Sequence, residues 1–396
     1  MLKRLFIFFS FSTFSLVAQV DYSDAWEDFY SYNNVKDLIK VDNMLYALTD
    51  NAMFTYDFIT EETEKLSSVQ GLSGETTSAI HYSIQSDRLV IGYKNGLVEV
   101  VDSDGSITIS ADILNFNQTG EKSINDIFEY EGKLYLSTSF AIIEYDIDQL
   151  EFGDTFFIGN NSTDVKINEI VVLNDLIYAA TERGIYSADI NNANLIDFNN
   201  WNLISSVNNN YTNIIIFNSK IYTTLNKKLF EVTETNEIVL IEDYSSSIIS
   251  LKGSSTNLTV VLNSSVNVYS TNFDLVLQNN ADINFDYILN TAFAENNQIF
   301  LATEQFGILT SLTTQDIIFQ EIHPEGPVSN DIFSVTAKNN QLWLVYGGYS
   351  PTMAPILPKL GYSHYNGENW FTKENDPDNS FPGFVDVTLD PNNENK

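Results

Sequence analysis

Three histidines are the only side chains of this 396-residue chain whose ordinary chemistry switches charge near neutral pH. His81, His323 and His364 lie in separate stretches and share no spacing that would hold a metal ion. His81 falls in a β-like run and His323 directly before Pro324, so each reads as structural. No G-x-S-x-G, H-E-x-x-H, P-loop or G-x-G-x-x-G in a βαβ setting appears. The 53 Asp and Glu residues could supply a glycosidase-like carboxylate pair, but at that abundance close pairs arise by chance and none stands out. Asp102-Ser103-Asp104-Gly105 resembles the start of a calcium loop, yet it lacks the later bidentate Glu and falls where a hairpin turn is expected. With no cysteine, the chain has no disulfide, metal thiolate or cysteine nucleophile.

Sugar recognition would call for aromatic faces beside polar groups. Trp26 and Trp343 sit in strand patterns and are expected to pack between sheets; Trp201 is also available. Trp370 and Tyr362, near a Pro/Gly-rich stretch, are better placed for access, although core packing is the expectation for Trp370. The residues therefore predict no catalytic group, no metal ligand, no cofactor and no cofactor-binding residue. They do not single out a ligand-binding residue.

The elements that would position any site repeat eight times. The anchors are Leu45, Leu89, Leu134, Ile177, Ile221, Leu258, Ile299 and Leu342, spaced 37 to 45 residues apart. In one unit, residues 78–83 (SAIHYS), 88–93 (RLVIGY), 97–102 (LVEVVD) and 106–110 (SITIS) read as four strands. Turns rich in Asp, Asn and Gly separate them, and Lys94-Asn95-Gly96 predicts a type I′ hairpin. Four antiparallel strands in about 44 residues make one blade of a β-propeller. The fold expected is all-β: a seven-bladed β-propeller of four-stranded antiparallel blades, plus the first blade of a second propeller.

The ends carry the domain reading. Residues 26–32 (WEDFYSY) look like an outermost strand with no inner strands before it, so they are expected to complete a later blade and close the propeller. The eighth unit begins near Gly326 and holds a Pro/Gly insert at 347–361; residues 384–390 (FVDVTLD) then resemble another first strand. The domains expected are a signal peptide at 1–18, a first propeller at 19–323 and the truncated start of a second propeller at 324–396. One eight-bladed ring with a disordered tail is the alternative.

Lys3 and Arg4 followed by the apolar residues 5–17 make the N-terminus a secretory signal peptide, too short to span a bilayer. No later run is apolar enough to cross one. The formal net charge is −34, and removing the two leader cations makes the mature chain about −36. Such a field repels nucleic acid and bare anionic surfaces, so neither is expected as a partner.

Several short motifs resemble a known family. Trp26 with Ser31-Tyr32-Asn33-Asn34, Leu45-Tyr46-Ala47-Leu48, Gly71-Leu72-Ser73 and Ile91-Gly92-Tyr93-Lys94-Asn95-Gly96 are similar to the N-terminal propeller of the PorZ family. Pro324-Glu325-Gly326-Pro327 with Ser329-Asn330-Asp331-Ile332 resembles the passage to that family's second propeller. The resemblance runs from about Trp26 to the end. It implies two seven-bladed propellers followed by a β-sandwich, and a place in the type IX secretion system of Bacteroidetes. It further implies a non-catalytic member of the attachment complex on the outer-membrane surface, working with a PorU-like sortase and with PorV-like and PorQ-like proteins. Its implied role is to bind anionic lipopolysaccharide and present it to the sortase. The strong negative charge fits poorly with anionic glycan binding by this half. The same motifs are shared more loosely with periplasmic ligand-sensing propellers of hybrid two-component receptors, which stand as the alternative. A secreted polysaccharide-degrading enzyme would instead require His, Tyr or paired carboxylates converging in the channel.

Overall fold

The computed structural model describes residues 26–205, 208–281, 285–313, 317–356, 360–373 and 383–390. The expected signal peptide lies outside them. The described residues form eight four-stranded antiparallel sheets and one two-stranded hairpin. Sheets 1 to 8 span 37–66, 77–110, 124–156, 167–203, 211–243, 248–280, 289–322 and 334–373. Among the described residues no helix is long and apolar enough to cross a membrane.

Each sheet is a meander, because short turns return the chain at once to its neighbour. Both residues of the Glu131-Gly132, Asn174-Asp175, Asn218-Ser219, Asn296-Asn297 and Asn339-Asn340 turns have positive φ. That is the type I′ geometry, whose twist matches the strands it joins. At Lys94-Asn95-Gly96 the expectation of a type I′ turn is corrected. Only Gly96 is left-handed (φ 91°), and it closes a three-residue loop through its N–H to the Tyr93 carbonyl.

The second and third strands lie inside the stack and are apolar on both faces. In Arg88–Tyr93, Val90 and Ile91 are fully buried, and in Asn257–Leu262 Leu258, Val260 and Val261 are as well. Burying one such side chain stabilises by about 1.5–3 kcal/mol. Outer strands such as Leu275–Asn280 alternate exposed and half-buried positions, as an edge facing water should.

Seven apolar clusters fill the gaps between consecutive sheets, from sheets 1 and 2 to sheets 6 and 7. The seventh joins sheet 7 to sheet 1, where Phe300, Ala302 and Ile308 meet Leu38, Leu45 and Phe54. Sheet 8 contributes to none of them.

The N-terminal segment departs from expectation. Residues 26–36 form no strand. Sheet 7 already owns a fourth strand, Gln320–Ile322, so its edge is taken. The segment instead runs as a strap between sheets 7 and 8. Val35 N–H donates to the Thr303 carbonyl and Gly307 N–H to that of Asn33 (2.9 and 2.8 Å). On the other side Ser31 N–H donates to Asn330 Oδ1 (2.7 Å) and Asn330 Nδ2 donates back to Ser31 O (3.0 Å). Tyr32 is buried, its hydroxyl on Asp28, while Trp26 is exposed rather than packed.

Sheet 8 carries the hairpin Gly348–Tyr349 with Pro355–Ile356 between its second and third strands. Of residues 383–390 only Asp390 makes a β-bridge; the Phe384 carbonyl accepts from Gly347 N–H (2.7 Å), and the Phe384 ring lies against Tyr362.

Candidate functional site at the inner ends of the first strands

The first strands of sheets 1 to 7 lie next to one another in chain order, and that of sheet 7 also meets that of sheet 1. Six of them share an irregularity at the same place. Register slips between Thr77 and Ala79, opposite Ile124, and between Ile167 and Glu169, Tyr211 and Asn213, Ile248 and Ser250, and Leu289 and Thr291. The skipped residue is a bulge, which re-aims a side chain toward the neighbouring sheet. The side chains at this position tie sheets together. Asn125 Nδ2 donates to the Ile167 carbonyl (2.6 Å), and Asn168 Nδ2 to that of Tyr211 (2.7 Å). Lys36 Nζ reaches the Thr77 carbonyl (3.4 Å), and Asn290 Nδ2 that of Val35 (2.9 Å). The last of these links sheet 7 to sheet 1 by the same device that links sheet 3 to sheet 4.

One residue further along lies a belt of charged and polar groups: Asp37, Asp126, Glu169, Asn213, Ser250 and Thr291. Ser250 and Thr291 share a hydroxyl hydrogen bond (2.7 Å). Glu169 accepts from Asn213 Nδ2 (2.9 Å) and Ile214 N–H (2.7 Å). Lys252 of sheet 6 pairs with Asp37 of sheet 1 at 2.8 Å, bridging two sheets that are not neighbours. That contact puts both side chains in the shared interior.

Enclosure sets the electrostatics. Burial, with the negative charge of Asp126, pushes the Glu169 carboxyl up to about 8 against its two hydrogen bonds and Lys252. Burial raises Asp126 as well, against the pull of Lys252. For Lys252 burial works against the charge, but Asp37, Glu169 and Asp126 outweigh it and hold its pKa above the lysine range. Nearby, His81 Nε2 meets Glu129 Oε2 at 2.9 Å and Ser83 Oγ donates to Glu129 Oε1, which together hold that carboxyl low against burial.

Carboxylates thus do converge in the interior. Their geometry is that of a tie: Asp37 pairs with Lys252, and both oxygens of Glu169 accept from N–H donors. Among the described residues no group of three His, Asp or Glu is arranged to hold a metal ion.

The three histidines stay apart. His323 Nδ1 lies 2.9 Å from the Pro324 carbonyl, and His364 stacks on Trp343 at 3.8 Å. Asp102-Ser103-Asp104-Gly105 is a hairpin turn, with Gly105 N–H on the Asp102 carbonyl and Arg88 on the Asp102 carboxylate (2.6 Å). Trp201 is buried, its indole N–H donating to Leu195 O (2.9 Å). Trp370 and Tyr362 are half-buried, and Trp370 packs edge-on against Phe29 of the strap.

The mouth of this interior, where the first strands begin, is an open cavity of about 300 Å³. Lys36, Lys94 and Lys166 line it with Ser78, Asn125 and Asn168. Reading residues for catalysis passed over both the belt and the mouth. The available signal was register: aligning the first strands of the repeat puts Asp37, Asp126, Glu169 and Asn213 in one column.

Comparison with known proteins follows from this geometry. Residues 45–202 match the family model of the PorZ N-terminal β-propeller domain of the type IX secretion system. No curated protein matches the chain in sequence. The solved structure of PorZ, described as an essential bacterial surface component of the type IX secretion system of Porphyromonas gingivalis, superposes with a TM-score of 0.71. It is 17% identical and covers 88% of this chain, and the chain spans only 46% of its length. The extracellular domain of a putative hybrid two-component system of B. thetaiotaomicron superposes at 0.54, with 14% identity, covering 92% of this chain and 50% of its own. The β-propeller domain of Myceliophthora thermophila Cps50 (Swd1) reaches 0.55 at 11% identity, covering 75% and 99%. Over residues 45–202 the chain is similar to the PorZ N-terminal β-propeller domain, and most of the chain shares the fold of the solved PorZ structure.

Proposed function

We propose that sheets 1 to 7 close into a seven-bladed propeller and that this chain forms part of a non-catalytic surface component of the type IX secretion attachment complex. The observation that carries the function is the likeness of residues 45–202 to the PorZ N-terminal domain, joined to a fold match over most of the chain. Closure is supported by the apolar cluster between sheets 7 and 1 and by the Asn290 to Val35 bond. The domains are then 19–323 for the first propeller and 324–396 for the opening of a second. Sheet 8 supports that division, since it leaves Val335 and Phe371 more than half exposed, as a blade awaiting neighbours would.

In this role the protein sits on the outer-membrane surface with a PorU-like sortase and PorV-like and PorQ-like proteins, and presents anionic lipopolysaccharide for attachment to secreted cargo. Deleting the gene tests this. Cargo should keep its C-terminal sorting signal and fail to become glycan-linked at the surface, and the full-length gene should restore both. Normal cargo processing with a lost transcriptional response to an extracellular glycan would instead place the protein among the sensors, which have the weaker fold match.

A further inference from the structure

We propose that the lysine-lined mouth of the interior is a binding site for a saccharide bearing a carboxylate or phosphate group. The inference rests on the glycan-presenting role above and assigns that role a place.

Acidic residues outnumber basic ones by 53 to 19 in this chain, so a cation left without a partner is unusual. Among the described residues, Lys40, Lys65, Arg88, Lys133, Arg183, Lys220, Lys227, Lys228 and Lys252 all form ion pairs. Lys122 is held by the Leu114 and Phe116 carbonyls. The ammonium groups of Lys94, Lys166 and Lys373 have no such partner, and the first two line the same cavity. Those two come from different sheets, one from the hairpin loop before Leu97 and the other from the residue before Ile167–Leu173. Lys36, the third cation of the wall, is neutralised by Asp50 at 2.9 Å.

The rest of the wall suits hydroxyl groups. Asn125 and Asn168 spend their amide N–H groups on the sheet junctions, which leaves their carbonyl oxygens as acceptors. A volume of about 300 Å³ is at the small end of ligand sites, the size for one or two sugar units. The acidic surface elsewhere does not forbid this, because charges more than about 8 Å away are largely screened at physiological salt. Glu169, the carboxyl of the same wall, has its charge disfavoured by burial and by Asp126, which lessens its repulsion of an anion.

The test is calorimetric titration of the chain with glucose 6-phosphate, glucuronate, glucose and inorganic phosphate at low salt. The charged sugars should bind about tenfold or more tightly than glucose, and Lys94→Glu with Lys166→Glu should weaken them by at least about tenfold. Lys94→Arg with Lys166→Arg should retain binding, and Lys227→Glu, at an exposed outer position, should change nothing. If the double reversal fails to fold, Lys166→Gln alone reads the same contact as a loss of about threefold. Equal binding of glucose and the charged sugars, or a double reversal without effect, overturns the site. Inorganic phosphate binding as tightly as glucose 6-phosphate overturns its saccharide character. A failed titration beside an intact gene-deletion phenotype rejects the site and leaves the surface role standing.

Discussion

Sheets 7 and 8 are written in the same code and meet different fates. Asn296-Asn297 introduces Gln298–Thr303 in one, and Asn339-Asn340 introduces Gln341–Val345 in the other, both through left-handed turns. Both ladders are antiparallel and four strands wide. In sheet 7, Phe300, Leu301 and Ala302 are fully buried. In sheet 8 only Leu344 and Val345 of the second strand are buried, and Phe371 stays 53% exposed. The difference is the neighbours. Sheet 7 has sheet 6 on one face and sheet 1 on the other, whereas sheet 8 touches the body through the strap. A repeat specifies a sheet; the core comes from what stacks against it.

The sharpest way to break this comparison is a matched pair of truncations. Phe300→Ala should cost about 3–5 kcal/mol in urea unfolding, because it opens a cavity between sheets 7 and 1. Phe371→Ala, on the exposed face of sheet 8, should cost less than about 1 kcal/mol. Equal costs would mean that sheet 8 is as enclosed as sheet 7.

A smaller effect should isolate the joint. Asn330→Ala strips both hydrogen bonds from Ser31 and leaves its N–H unsatisfied, a local loss of about 1–3 kcal/mol. Amide exchange at Ser31 should speed up, with the unfolding of sheets 1 to 7 unchanged. A fall in global stability instead would show that the strap helps hold the body together.

Two titrations probe the interior that only the stacked sheets possess. Glu169 should titrate near 8 by carboxyl carbon NMR, and Asp126→Asn should lower it by removing a repulsive charge. A raised carboxyl stabilises fully below its unfolded value and loses that contribution as pH rises through about 8. Wild-type stability should therefore decline between roughly pH 5 and 8 more steeply than that of the variant. A Glu169 titration in the usual carboxylate range would mean that the interior is open to bulk water. The smallest effect is at Glu129, where Ser83→Ala removes one donor and should raise the depressed value, read by carboxyl carbon NMR. That carboxylate's contribution is present above its unfolded value and disappears as pH falls through its folded one.

Much of the fold was legible because it is local. The eight anchors all fall in second strands, and Leu45, Leu134, Leu258 and Ile299 are fully buried there. Strand limits in the unit 77–110 differ from expectation by one residue at most. WEDFYSY has strand-like composition yet forms a strap, because the place beside the third strand of sheet 7 is already filled by Gln320–Ile322. The interior belt was illegible for another reason. Asp37 and Lys252 are two among 72 charged residues, and only the stacking of sheet on sheet brings them to 2.8 Å.

The sequence by itself determined the units: their number, their four strands, their turns and the apolar filling of their middle strands. Each depends on contacts within about 45 residues, where period-two patterning and left-handed turn residues act directly. Tertiary structure alone decided which polar residues share the interior and which lysines are left without partners. Those outcomes belong to contacts between residues hundreds of positions apart, and a local pattern carries no information about which distant face it will meet.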